Sequence, residues 1–127
     1  MLDAPTLCTQ PLTEDTAMKQ YVIDQLRESD YEKILEYLQK HADASEFGDI
    51  FWITLPEELY SDTQREHDQC RPFCFAVNLS LNQVDFELLI RSRQIMRCSC
   101  IRYANKRQGD HIIDFADRML NELDIRI

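Results

Sequence analysis

Phe73-Cys74-Phe75-Ala76-Val77-Asn78-Leu79-Ser80-Leu81-Asn82-Gln83-Val84-Asp85-Phe86-Glu87-Leu88-Leu89-Ile90 is the stretch that decides the fold of this 127-residue chain. Its apolar residues recur every second position, which is the signature of strands with one buried face. A two-residue turn at Asn82-Gln83 pairs Leu81 with Val84, Leu79 with Phe86, Val77 with Leu88 and Phe75 with Ile90. Every pair is then apolar on apolar, so pattern and turn agree on an antiparallel hairpin.

Working outward, residues 95 to 103 read as a third strand joined through Ser92-Arg93-Gln94. That register sets Ile90 opposite Met96, Leu88 opposite Cys98 and Phe86 opposite Cys100, and so places both cysteines on the core face. Upstream, Ile50-Phe51-Trp52-Ile53-Thr54-Leu55 is a β-branched and aromatic run closed by Pro56, which opens a short helical turn. Residues 61 to 70 are polar and read as a long loop or a solvated helical extension.

Helical spacing governs the two ends. Met18, Tyr21, Val22 and Leu26 predict an amphipathic helix over 14–28, begun by Thr13 as N-cap. Ser29 and Glu32 fit a capping box for a second helix ending near His41, with Tyr31, Ile34, Leu35 and Leu38 as its stripe. Ile112, Ala116, Met119, Leu120 and Leu123 predict a last helix over 110–124. The expected fold is therefore α+β. An antiparallel sheet of about four strands carries an N-terminal helix pair and a C-terminal helix, in the order α-α-β-(short α)-β-β-β-α. Residues 1–12 are expected to be an extended or disordered arm, and 13–127 a single α+β domain.

Composition narrows the function. Fourteen basic residues against 23 acidic ones leave a net charge of −9, which argues against general binding to nucleic acid. No run of 18 apolar residues and no positively charged leader is present, so the expectation is a cytoplasmic protein that does not enter a membrane. Two glycines leave no Gly-rich phosphate loop, and no nucleotide-binding, metalloprotease or nucleophile-elbow motif occurs. Carboxylate pairs such as Glu57-Glu58, Asp85 with Glu87 and Asp114 with Asp117 arise freely among 23 acids. They read as solvated faces. His41 and His111 are explained by a helix terminus and by the surface. No catalytic residue and no cofactor is assigned from the sequence.

Two features remain. His67, Cys70 and Cys74 are spaced H-x2-C-x3-C, and Cys98 and Cys100 follow as C-x-C. Thiolates and imidazole are zinc and iron–sulfur ligands, and a thiol-dependent redox or metal-binding protein using Cys70, Cys74 and His67 is the alternative reading. Against it, strand parity sends Cys74 to one face of the sheet and Cys98 with Cys100 to the other. On that parity the latter pair reads as buried small hydrophobes.

The second feature is charge. Residues 91–107 hold six basic residues and no acid, leaving eight bases against 23 acids elsewhere. The basic segment shares its face of the sheet with apolar side chains, and apolar patches inside charged rims mark interfaces. The main expectation is thus a small, acidic, non-enzymatic protein-interaction domain. It would self-associate as a homodimer, or bind a protein partner, through Leu89, Arg91, Ile95, Arg97, Ile101 and Tyr103. The competing expectation is that these arginines pair internally with the chain's own carboxylates, such as Glu87 across the sheet.

Overall fold

The computed structural model describes residues 19–45 and 49–126. The expected arm over 1–12, the Thr13 cap and the start of the expected first helix lie outside them. In chain order the elements are β1 (Gln20–Ile23), α1 (Glu28–His41), β2 (Asp43–Ala44), β3 (Ile50–Thr54), α2 (Asp62–Glu66), β4 (Phe73–Ser80), β5 (Gln83–Glu87), β6 (Leu89–Ser92), β7 (Arg102–Tyr103) and α3 (Lys106–Glu122). Single 3-10 turns occupy Glu57–Leu59 and Asp68–Cys70. The chain is an α+β structure with an antiparallel sheet. Among the described residues the sheet has seven strands rather than about four, in the order β1-β5-β4-β3-β2, with β6 on β4 and β7 on β6. No helix among the described residues is long and apolar enough to cross a membrane.

The central strand is β4. Phe73, Phe75, Val77 and Leu79 alternate onto one face and are all buried. β3 pairs with it on one side, while β5 and then β6 share the other. The hairpin is real but its register is two residues tighter than the sequence reading. Leu79 faces Val84, Val77 faces Phe86, and Ser80 faces Gln83, so Leu81-Asn82 forms the turn. A shift of two keeps every side chain on its expected face, because the period of a strand is two. It expels Leu81, which stands 70% exposed at the tip.

The expected helix over 14–28 is corrected by β1. Tyr21 and Ile23 point inward opposite Phe86 and Val84, while Val22 lies outside. Tyr21 fits both a helical stripe and, with Ile23, an alternating pattern, and the open edge of β5 decides between them. Gln25 then takes φ 58, a left-handed conformation that no α-helix can pass through. The second helix is present as α1, but it is capped from Asp30 rather than Ser29. The Asp30 carboxylate accepts from the Arg27 backbone N–H and from Arg27 Nε, each at 3.1 Å.

The expected third strand over 95–103 is also corrected. Only β6 and the short β7 pair, with Leu89 opposite Tyr103 and Ile90 opposite Arg102. Residues 93–101 form the loop between them. Met96 therefore does not face Ile90, and it is 94% exposed.

Helices α1 and α3 bury Ile34, Leu38, Ile112, Ala116 and Met119 in one core with Phe75, Val77 and Phe86. Phe115 joins the layers, with its ring edge-on to Phe75, Phe86 and Tyr37 at 6.2–6.3 Å. Such pairs add to the area buried.

Phe86→Ala removes a wholly enclosed ring and is expected to cost about 3–5 kcal/mol. Leu81→Ala, at the turn, should change stability by less than about 0.5 kcal/mol. Urea unfolding of the two variants checks the register, because the looser pairing places Leu81 in the core.

The Arg27 hydrogen bonds hold the Asp30 carboxyl below its ordinary range. A depressed carboxylate stabilises the fold above the unfolded-state value, and that gain is lost as pH falls through the folded-state value. Asp30→Asn should therefore flatten the acid limb of the stability curve below about pH 4 while leaving its shape at neutral pH unchanged. Thermal melts across roughly pH 2–7, which spans the carboxylate range, measure this.

Candidate metal centre

Ser61 starts α2 with reciprocal hydrogen bonds to Gln64. The Gln64 N–H donates to Ser61 Oγ, and the Ser61 N–H donates to Gln64 Oε1. The helix lasts five residues and ends at His67. The chain then makes a 3-10 turn in which the Cys70 N–H donates to the His67 carbonyl at 3.0 Å. Residues three apart in such a turn lie one above the other, so the His67 ring and the Cys70 thiol point the same way. Immediately afterwards the chain enters β4, which carries Cys70 to the base of the core, fully buried.

The partner half comes from the 93–101 loop. The Ile101 N–H donates to the Cys98 carbonyl at 3.0 Å, closing a tight turn around Cys98-Ser99-Cys100. Ser92, the last residue of β6, fastens this loop to the first half. Its hydroxyl donates to the Cys70 carbonyl and accepts from the Gln94 and Ile95 N–H groups, both at 3.0 Å.

These two turns bring His67, Cys70, Cys98 and Cys100 together, with one donor atom of each within 4.8 Å of all the others. His67 Nδ1 lies 3.0 Å from Cys98 Sγ. Cys70 and Cys100 are buried, while His67 and Cys98 are half-buried.

The electrostatics are uneven. Cys98 is brought down to about 6, chiefly because the backbone N–H of Cys100 points at its sulfur; hydrogen bonds from Cys100, His67 and Cys70 add to this and desolvation opposes it. Burial pushes Cys100 up to about 12, reinforced by Cys98 and Cys70, and burial also raises Cys70. The cluster on its own thus favours one thiolate among neutral thiols. A divalent cation displaces the remaining protons, because metal binding favours the deprotonated ligands.

The donor set fits one metal well. Zinc takes thiolate sulfur at about 2.3 Å and imidazole nitrogen at about 2.0–2.1 Å, which separates neighbouring tetrahedral ligands by about 3.5–3.8 Å. The observed 4.8 Å limit requires only small movements to reach that geometry. A multinuclear iron–sulfur cluster interposes its own iron and sulfide between the cysteines and needs them further apart.

Of the three residues the sequence reading grouped, His67 and Cys70 are in this cluster and Cys74 is not. Cys74 lies on the opposite face of β4, where its thiol donates to the Arg91 carbonyl at 3.7 Å. Burial pushes it up to about 11, eased by Arg93 and Arg91. Cys98 and Cys100 take its place. Cys100 is buried, as read from the sequence, and parity rightly separated the pair from Cys74, but the reading of both as core residues of a continuous third strand is corrected by the loop. In a loop the alternation of faces does not apply. The signal available was the pairing of H-x2-C with C-x-C, two compact ligand pairs flanking a hairpin.

The six residues read as an interaction surface divide into two groups. Arg91, Ile95 and Ile101 line a groove with Trp52, Arg93 and Met96, and Arg97 follows Met96 in the exposed loop. Leu89 and Tyr103 face each other across β6 and β7, and Tyr103 lines a separate cavity with Ser61, Thr63 and Gln64. Internal pairing is also present, as Arg91 meets Glu87 and Arg93 meets Asp43, each at 3.2 Å. The chain matches no family model, and neither the curated proteins nor the solved structures contain a significant match.

Ser92→Ala strands the Gln94 and Ile95 N–H groups and the Cys70 carbonyl together. It should destabilise the protein by about 1–3 kcal/mol and quicken hydrogen exchange across 93–101 before that of β4. Exchange followed by mass spectrometry distinguishes the two regions.

Proposed function

We propose that this chain is a metal-binding protein in which His67, Cys70, Cys98 and Cys100 hold one zinc ion in a structural role. The observation that carries this reading is the convergence of three thiols and an imidazole, from two turns 28 residues apart in sequence, within 4.8 Å. Four protein ligands complete a tetrahedron and leave no open position for a substrate or an activated water. The ion therefore acts on structure. It fastens the 93–101 loop to the entrance of β4, where the Ser92 hydroxyl already ties the two to each other.

Three thiolates and a neutral imidazole around a divalent cation carry one net negative charge. Arg71 lies next to Cys70, but it is engaged by Asp68 and Glu57 and stacks on Tyr60. Charge compensation comes instead from N–H donors such as that of Cys100, as the depressed Cys98 thiol indicates.

Protein purified without chelator from zinc-supplemented cells should contain one zinc per chain by elemental analysis. Cobalt exchange should produce visible thiolate-to-metal absorption that Cys98→Ser and Cys100→Ser weaken and Cys74→Ser leaves intact. Stripping the metal should lower the melting temperature by on the order of 10 °C. Metal-free protein that also fails to give the cobalt spectrum overturns the assignment.

A further inference from the structure

The face of the sheet away from the helices is not empty. Trp52 of β3 stands opposite Ala76 of β4, beside Arg91 and Arg93. The 93–101 loop rises next to them, and Trp52, Arg91, Ser92, Arg93, Ile95, Met96 and Ile101 enclose a groove of about 260 Å³. That is smaller than the roughly 300–1,000 Å³ of small-molecule pockets, and suits a side chain or two of an extended segment.

The chemistry of the lining is specific. Tryptophan, methionine and arginine are the residue types enriched in the working parts of protein interfaces. Met96 is 94% exposed, the largest exposure among the large apolar side chains described. An unbranched methionine adapts to whatever packs on it.

The charge is complementary to one kind of partner. The groove lies in the segment that holds six basic residues and no acid, within a chain of net charge −9. Arg93 lies over the Trp52 ring at 5.6 Å and pairs with Asp43 on the surface. A surface ion pair of this type contributes little, so an incoming carboxylate can take the place of Asp43 at small cost. The acidic remainder of the chain repels an acidic partner everywhere else, which confines docking to this face.

We infer that this groove docks an acidic, apolar segment of a partner protein, its apolar side chains against Trp52, Ile95, Met96 and Ile101 and its carboxylates toward Arg93 and Arg97. The inference depends on the loop being where it is, and not on which ion holds it there.

Trp52 is the chain's single tryptophan and therefore reports the groove directly. The full chain, its metal content measured, is titrated with three synthetic decapeptides: glutamate alternating with leucine and phenylalanine, the same peptide with lysine for glutamate, and glutamate alternating with serine. Only the first should change Trp52 fluorescence saturably, and added salt should weaken it. Met96→Asp and Arg97→Glu, both at exposed positions, should keep the wild-type melting temperature and each weaken binding by about tenfold. Equal binding of the lysine peptide, or variants that bind like wild type, overturns the proposal. So does sedimentation showing a wild-type dimer that Met96→Asp abolishes, since the groove then belongs to a second copy. Binding by protein that carries no zinc and gives no cobalt spectrum upholds the groove while the zinc reading fails on its own.

Discussion

Everything in this structure depends on β4 being paired along both edges and covered on its apolar face. Phe73, Phe75, Val77 and Leu79 have no exposed surface to speak of, and the backbone between them satisfies its hydrogen bonds through β3, β5 and β6. A buried strand has no access to water, so every backbone group must find a protein partner. That requirement recruits β3 on one side and two successive strands on the other. It also fixes both ends of the strand. The far end must turn back at Leu81-Asn82. The near end must present Cys70 at the base of the core.

The near end is where structure passes into chemistry. Residues 61–70 contain a capped five-residue helix and a single 3-10 turn, neither of which is stable alone at that length. They hold their shape through tertiary contacts. Buried Gln108 of α3 donates from its side-chain nitrogen to the Leu59 carbonyl and to Gln64 Oε1, both at 2.9 Å. Tyr60 packs edge-on against Phe73 and accepts from its N–H. The His67–Cys70 pair is therefore positioned from the helical layer, and the Cys98–Cys100 pair from the sheet. A metal ion at their junction would couple the two layers and the groove beside Trp52.

The alternating and helical patterns were legible wherever one residue pattern had one reading. The strand over 50–54, the β4–β5 hairpin, α1 and α3 follow from apolar spacing, and so does the α+β class. The same spacing was ambiguous at Tyr21-Val22-Ile23, where period two and period 3.6 share their residues. There the unpaired edge of β5 selected the strand. Residues 95–103 misled for a related reason. Met96, Cys98 and Cys100 alternate, but Arg97 and Ser99 do not need a sheet, and the Ser92 hydroxyl diverts the backbone immediately after β6.

By itself the sequence determined the class of the fold, the faces of the long elements, the basic segment and the spacings H-x2-C and C-x-C. These are local properties, written in spacing over a few residues. Only the tertiary structure decided which cysteines meet. Cys74 is four residues from Cys70 yet lies across the sheet from it, whereas Cys98 is 31 residues from His67 in sequence and its sulfur is 3.0 Å from His67 Nδ1. Proximity of that kind depends on where a loop ends after the strands have paired. Backbone hydrogen bonding and core burial set that outcome, and no local pattern of residues encodes it.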